Sequence, residues 1–458
     1  MSDEGLRQAR QLMVDAEVPA TAIEVFDHYY RQLEAGQTGL IGEDSIDPVT
    51  EVDRLDEVQI PPDRAVDALS RTAVIRLNGG LGTSMGMNRA KSLVPVRAGR
   101  SFLDLIVEQI LALRAEHQVE LPLLWMNSFR TQQDTLDALA AHPGIAVDGL
   151  PLDFVQNLEP KLRVDDLTPV QWPADPGLEW CPPGHGDIYT VLHHTGLIEQ
   201  LLDRGFRYAT VSNSDNLGAV PDPQLAGWFA ESGAPFALEV CRRTQADRKG
   251  GHPAIRRSDG RMILRDKAQV ADADLTAFMD PQKHRFFNTN NLWWDLAQLH
   301  QVITERNAIL GLPLIRNRKR VDPTDPDSPE VFQIETAMGA AVEVFEGATA
   351  IEVPRSRFLP VKTTSDLLVV RSDAYTLTDD ARLESRRPAA PLVELDERHY
   401  KSIDAFEQRF PAGPPSLVEA DSLTVAGDWT FGADVTVRGS AELEDRGEPQ
   451  QLPDRTTL

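Results

Sequence analysis

Cysteine is nearly absent from this chain: there are two in 458 residues, Cys181 and Cys241. Two thiols make neither a disulfide framework nor a self-sufficient metal cluster, so each reads as unpaired in a reducing compartment. No apolar run approaches the roughly 20 residues that span a bilayer. The opening MSDEGLRQARQL is charged where a secretory leader would be apolar. Export and membrane association are therefore not expected, and a cytoplasmic location is. Positive charge is also scarce. Forty-six Lys and Arg stand against 71 Asp and Glu, a formal charge of −25. Such a surface repels nucleic-acid backbone, so no nucleic-acid partner is expected. An acidic protein can still hold a nucleotide where cations, metal or N–H donors are concentrated, which makes each basic residue inside a motif informative.

Generic nucleotide signatures are missing too. Gly86 is followed by Met87, so GxxxxGK[ST] is absent, and the GxGxxG begun by Gly80 and Gly82 meets Met85 in its last position. What is present is VIRLNGGLGTSMGMNRAKSLVPVR, Val74 to Arg97. A short apolar strand runs into closely spaced glycines, then Arg89 and Lys91, then a second apolar run. Glycines there let backbone N–H groups approach an anion. A following helix N-terminus and two long cations would add positive charge. The stretch reads as a phosphate cradle.

Around it, apolar periodicity alternates between strand and helix. Leu121–Met126, Phe154–Gln156, Tyr208–Val211 and Phe236–Cys241 read as strands, and 102–114, 131–141 and 189–204 as helices. That alternation predicts an α/β fold with a mostly parallel sheet. Ligands of such sheets sit beyond strand C-termini, where the glycine loop and SNSDN (Ser212–Asn216) both fall. Further helices are predicted at 292–303, after FFNTNN, and from Phe332, turning to strand near Val342. Residues 1–60 read as an appended helical region, with an acidic, solvated connection at 42–58. From about residue 389, short alternating runs split by Gly427, Gly432 and Gly439 suggest β-helix coils. The expected division is thus 1–60, 61–388 and 389–458.

Several segments are similar to those of the eukaryotic-type UTP–glucose-1-phosphate uridylyltransferases (UDP-glucose pyrophosphorylases). They are LNGGLGT (Leu77–Thr83), Met85–Gly86, Lys91–Ser92–Leu93, FVQNLEPKL (Phe154–Leu162), WCPPGHGDIY (Trp180–Tyr189) and SNSDNLGA (Ser212–Ala219). Arg89–Ala90 stands where the family usually has Gly-Pro. The resemblance implies a Rossmann-like nucleotide-sugar transferase domain with a mixed central sheet, plus a small C-terminal β-helix-like domain used in subunit association, so a homo-oligomer is expected. It assigns Leu77, Asn78, Gly79, Gly80, Gln156, Gly184 and Asp215 to UTP, with Gln156 reading uracil. His185, Asn213, Gly251, Asn290 and Glu335 fall to the sugar phosphate, and Lys91, Lys362 and Arg89 to catalysis. Asp215 would hold Mg2+. Arg248, Lys249, Gly250, Gly251 and His252 read as a flexible cationic loop on the sugar side. Asp187 reads as a helix cap and Asp366 as a cap or loop residue.

No Ser–His–Asp or Cys–His nucleophile emerges. The implied reaction is direct Mg-assisted displacement: glucose 1-phosphate attacks the α-phosphorus of UTP, giving UDP-glucose and pyrophosphate. The competing expectations are another hexose 1-phosphate (N-acetylhexosamine or galactose), a glycosyltransferase using a ready-made UDP-sugar, and a non-catalytic nucleotide-sugar sensor.

Overall fold

Strand Thr72–Asn78 is buried along nearly its whole length on both faces, as an interior parallel strand requires. A computed structural model describes residues 2–244, 247–248 and 250–458, without the side chains of Ser2 and Ser84. That strand is the pivot of an eight-stranded sheet. In chain order its members are β1 (Asp53–Arg54), β2 (Thr72–Asn78), β3 (Leu123–Asn127), β4 (Asp153–Val155), β5 (Tyr208–Asn213), β6 (Phe236–Arg242), β7 (Phe286–Asp295) and β8 (Thr349–Glu352). Their spatial order is β1-β8-β6-β7-β5-β2-β3-β4. β7 runs antiparallel to both neighbours and the other pairings are parallel, so the sheet is mixed. The α/β class and mixed central sheet are as the sequence led us to expect.

The chain steps outward from β2 to β3 and β4, then returns to lay β5 on the other side of β2. That reversal opens a crevice at the C-terminal ends of β2 and β5, the usual ligand position in an open α/β sheet. Asn213 pairs with Leu77 in register, so the glycine loop and Ser212–Asn216 emerge side by side. Arg76, fully buried, ties the two strands together by donating to Ser212 Oγ and the Ala219 carbonyl.

Helices Phe102–His117, Pro62–Ser70 and Pro223–Ser232 pack on one face of the sheet. Ile188–His194, Leu197–Asp203 and Leu296–Glu305 cover the other. The single helix predicted at 189–204 is therefore two, broken at Gly196 with φ +66°. The helix predicted at 292–303 is displaced: FFNTNNLWWD is a ten-residue strand, and the helix starts only after Asp295, whose carboxylate accepts from Gln298 N–H. Alternation along β7 sends Trp293 and Trp294 into opposite layers, and both are fully buried. The helix predicted from Phe332 is also wrong. Glu330–Glu335 pairs antiparallel with Ile315–Arg320, and a 3₁₀ turn at Met338–Glu343 follows.

Near the N-terminus, α1 (Ser2–Asp15) and α2 (Ala20–Glu34) build a small core with Leu162, Leu314 and Ile334. The acidic connection is less solvated than expected, because Glu43 binds Arg265, Lys283 and His284. Beyond residue 390, Leu392–Leu395, Ser416–Val425 and Thr436–Leu443 stack in parallel, as do Trp429–Phe431 and Gln450–Leu452. Both cysteines are buried and unpaired. Among the described residues, no helix is long and apolar enough to cross a membrane.

Candidate active site

The glycine stretch folds as a tight hairpin rather than a loop leading into a helix. Lys91 N–H donates to the Gly80 carbonyl and Gly82 N–H to that of Arg89, and only 3₁₀ turns follow, at Thr83–Met85 and Lys91–Leu93. The anticipated helix N-terminus is therefore not part of the cradle. The hairpin instead turns Lys91 inward, where Nζ lies 2.5 Å from Asp215 Oδ2. Its neighbour Arg89 turns outward, 3.8 Å from Asp134 and 61% exposed. Asn78 is buried behind the crevice. It donates to Asn127 Oδ1 and Thr135 Oγ1 and accepts from Ser214 Oγ, so it braces the loop rather than facing a ligand.

Leu77, Gly79, Gly80 and Lys91 line a cavity of about 360 Å³ with Gln156, Gly184, His185, Asn213, Asp215, Lys319 and Glu335. Gln156 Nε2 donates to the Gly184 carbonyl at 2.8 Å, which fixes the amide. A Cβ on Gly79 would come within 2.0 Å of Gln156 Oε1, so that glycine makes room for the amide. Gly184 (φ +78°) and Gly186 instead make room for protein: a Cβ on either would strike Thr336. Met338 N–H donates to His185 Nδ1 at 3.0 Å, so the ring proton sits on Nε2. Burial pulls the His185 pKa down to about 4, and the ring is a neutral donor at physiological pH. Asp187 is not a cap. Its carboxylate accepts from Asn157 N–H and Nδ2, and burial raises its pKa to about 6 despite those bonds.

A second cavity, about 460 Å³, adjoins the first and shares His185 and Asn213 with it. Gly250, Gly251, Asp266, Asn288, Asn290 and Lys362 line it. Asn290 Nδ2 donates to Asn213 Oδ1 at 3.0 Å, and its backbone is held at φ +62°, where β7 departs from regular pairing with β6. Lys362 arrives on a strap, residues 354–362. Arg357, at its middle, makes two hydrogen bonds to the fully buried Glu239. Leu359 N–H donates to Asn216 Oδ1 and Val361 N–H to the Asp215 carbonyl. Lys362 and Asp215 are thus set by one local register. Asp366 caps the next helix with Thr363.

His252 does not belong to a cationic loop. It is fully buried, stacked 3.7 Å from the His284 ring, and burial holds its pKa down near 2. Lys249 lies outside the described residues. Glu335 lines the first cavity and not the second, so it keeps company with Asn213 but is separated from Asn290 and Gly251, with which the sequence also grouped it. Lys319, Gln333 and Asp266 were missed. The first two sit in two strands, one misread and one unassigned, because IRNRKR at 315–320 and EVFQIE at 330–335 carry no regular apolar alternation to mark them.

Asp215 Oδ1 is shielded from solvent and has no hydrogen-bond partner among the described residues. An unpaired hard oxygen of this kind suits Mg2+. Among the described residues no group of three or more His, Cys, Asp and Glu side chains gathers, so Asp215 does not sit in a ready-made cluster of metal ligands. A third cavity, about 30 Å³, lies behind Pro183 and Gly186 against α2, with room for about two waters.

The family model for UTP–glucose-1-phosphate uridylyltransferase matches residues 23–438. The enzyme of that name from Solanum tuberosum is 40% identical over 416 residues, covering 90% of this chain and 84% of the relative. The one from Saccharomyces cerevisiae is 41% identical over 378 residues, 82% and 74% of the two chains. The fold matches UDP-glucose phosphorylase from Trypanosoma brucei with a TM-score of 0.93 at 41% identity, covering 99% and 98% of the chains. It matches a Leishmania major UDP-glucose pyrophosphorylase variant in complex with UDP-glucose with a TM-score of 0.92 at 42% identity, over the same shares.

Proposed function

The chain belongs to the UTP–glucose-1-phosphate uridylyltransferase family, and on that premise we propose that it joins UTP and α-D-glucose 1-phosphate into UDP-glucose and pyrophosphate by direct displacement. The observation that carries the mechanism is the meeting of two cavities at His185 and Asn213, with Lys91 and Asp215 on one and Lys362 on the other. The nucleotide occupies the first, its uracil read by Gln156 against Gly79 and Gly80. The sugar occupies the second, against Gly251 and Asn290.

The attacking phosphate is already ionised near neutral pH, so no strong general base is needed. The barrier lies in bringing anions together and in charge on the transferring phosphoryl group. Lys91 meets the leaving pyrophosphate, Lys362 the α-phosphoryl group, and neutral His185 donates to the sugar phosphate from Nε2. When bound, Mg2+ on Asp215 neutralises triphosphate charge. A unit charge pair at 4 Å is worth about 4 kcal/mol at an effective dielectric near 20. Arg89, turned outward, supports the loop through Asp134 and stays out of the chemistry. Of the division at 60 and 388, the first unit is helical only as far as Glu34, because Ile46–Pro48 and β1 (Asp53–Arg54) already pair with strands of the catalytic unit, while 389–458 form a β-helix-like unit. The last of these serves a homo-oligomer, and the enzyme works in the cytoplasm.

Pyrophosphorolysis tests the reading. Purified protein with Mg2+ and pyrophosphate is offered UDP-glucose, UDP-galactose, UDP-N-acetylglucosamine or dTDP-glucose, and nucleoside triphosphate is measured. UTP release from UDP-glucose above all others is the expected result. Equal release from all four, or none from any, refutes it.

A further inference from the structure

Part of the wall of the nucleotide cavity is a small antiparallel sheet, Ile315–Arg320 against Glu330–Glu335. Lys319, Gln333 and Glu335 on it line the nucleotide cavity, and none of them lines the sugar cavity. Glu335 packs beside the base reader: a Cβ on Gly184 would lie 3.0 Å from Glu335 Cβ, and the Gly184 carbonyl accepts from Gln156. Its Oε1 accepts from Asn317 Nδ2 at 3.0 Å and lies 3.7 Å from Lys319 Nζ. Those partners orient the carboxylate, while Oε2 accepts no hydrogen bond from the described residues. Gln333, on the same face, has its own Oε1 shielded and without a partner.

Two acceptors on this wall, Glu335 Oε2 and Gln333 Oε1, have no partner among the described residues, and they call for donors on the ligand. A uridine nucleotide has three: uracil N3–H and the two ribose hydroxyls. The triphosphate offers none near neutral pH and would be repelled by a carboxylate. Gln156 Oε1 is already set for N3–H, which leaves the ribose. We propose that Glu335, oriented by Asn317 and Lys319, binds a ribose hydroxyl and makes the enzyme selective for ribonucleotides over deoxyribonucleotides. This rests on the first cavity being the nucleotide site. A site built to bond a hydroxyl rejects the analogue lacking it, because the half-buried acceptor then loses its partner.

The test compares kcat/KM for UTP, 2′-deoxy-UTP and 3′-deoxy-UTP in the unaltered protein, Glu335→Ala and Glu335→Gln. In the unaltered protein one deoxy analogue should fall about 10- to 100-fold below UTP, the range of a hydrogen bond to a charged group. Glu335→Ala should bring UTP down to that level while leaving the same analogue within about twofold. Glu335→Gln, isosteric and still an acceptor, should recover part of the difference, and KM for glucose 1-phosphate should not move in either variant. An unchanged UTP-to-deoxy ratio, or a rise confined to the KM for glucose 1-phosphate, overturns the assignment. Absence of UTP turnover in the unaltered protein overturns the nucleotidyltransferase reading along with it.

Discussion

Single side chains in this site divide into those that face a ligand and those that hold them there. Lys362 is of the first kind. Replacing it with Ala should lower turnover about 10²- to 10³-fold, because only part of a charge pair worth several kcal/mol is specific to the transition state. Steady-state kinetics at saturating Mg2+ and substrates decides this, and near-normal turnover refutes it. Gly79→Ala is subtler. The added methyl collides only with the Gln156 amide, which must leave its bond to Gly184 to make way, so the fold should tolerate it while KM for UTP rises about tenfold or more. A fall in Tm without a change in KM would contradict that. Asp187 is a holding residue with a pH signature. Burial raises its pKa from 3.8 to about 6, so its stabilising contribution is complete below about pH 4 and is lost as pH rises through about 6. Asp187→Asn should remove that loss, about 1–3 kcal/mol between pH 4 and 7, seen as a flatter Tm profile. Parallel profiles for the two proteins would argue against it. The sequence pointed to Lys91, Gln156, His185, Asp215 and Lys362 because each sits in a long motif. It misjudged Asp187 because Asn157, thirty positions away in the chain, competes for the carboxylate that might have capped a helix.

At the scale of elements, the strap at 354–362 does most to align the two cavities. Its anchor is a buried ion pair, Arg357 with Glu239, which also accepts from Trp293 and Asn291 on β7. Arg355 clamps the Asp247 carboxylate with two bonds, tying the strap to the wall of the sugar cavity. Arg357→Leu strands a buried carboxylate and should cost about 3–5 kcal/mol in denaturant unfolding. In whatever folds, kcat should fall more than KM for UTP, since Lys362 is misplaced while the Gln156 side is untouched. A variant with full stability would show that the pair is dispensable. Sequence periodicity captured the parallel strands β2 to β6 but not the short strands β1 and β8 at one edge. It failed at β7 and at 330–335, where polar residues facing the cavities interrupt the apolar pattern that marks a strand.

At the scale of the whole molecule, the C-terminal strands are not an independent bead. Val393, Leu395, Tyr400 and Leu417 belong to the same apolar core as Leu367, Leu368 and the helix Phe102–His117. Tyr400 accepts from Thr364 Oγ1, and Ser365 Oγ accepts from Leu395 N–H, at the start of the helix that follows Lys362. Gly86, at the tip of the glycine hairpin, abuts Ser402. Deleting residues 389–458 should therefore remove support from both lysine-bearing segments and yield protein without a cooperative thermal transition. A truncated chain that melts at the full-length Tm would overturn this.

The chain by itself determined the kinds of chemistry present and their order: a glycine cradle, an amide reader, an aspartate at a strand end and two separated lysines. It also determined the α/β alternation, because strand and helix periods are local. The tertiary structure decided which surface each residue faces. It turned Arg89 outward, buried Asn78 and His252, and put Glu335 in the cavity of Gln156 rather than in that of Asn290. Those outcomes follow from register and packing between segments distant in the chain, to which a local pattern of apolar and polar residues is blind.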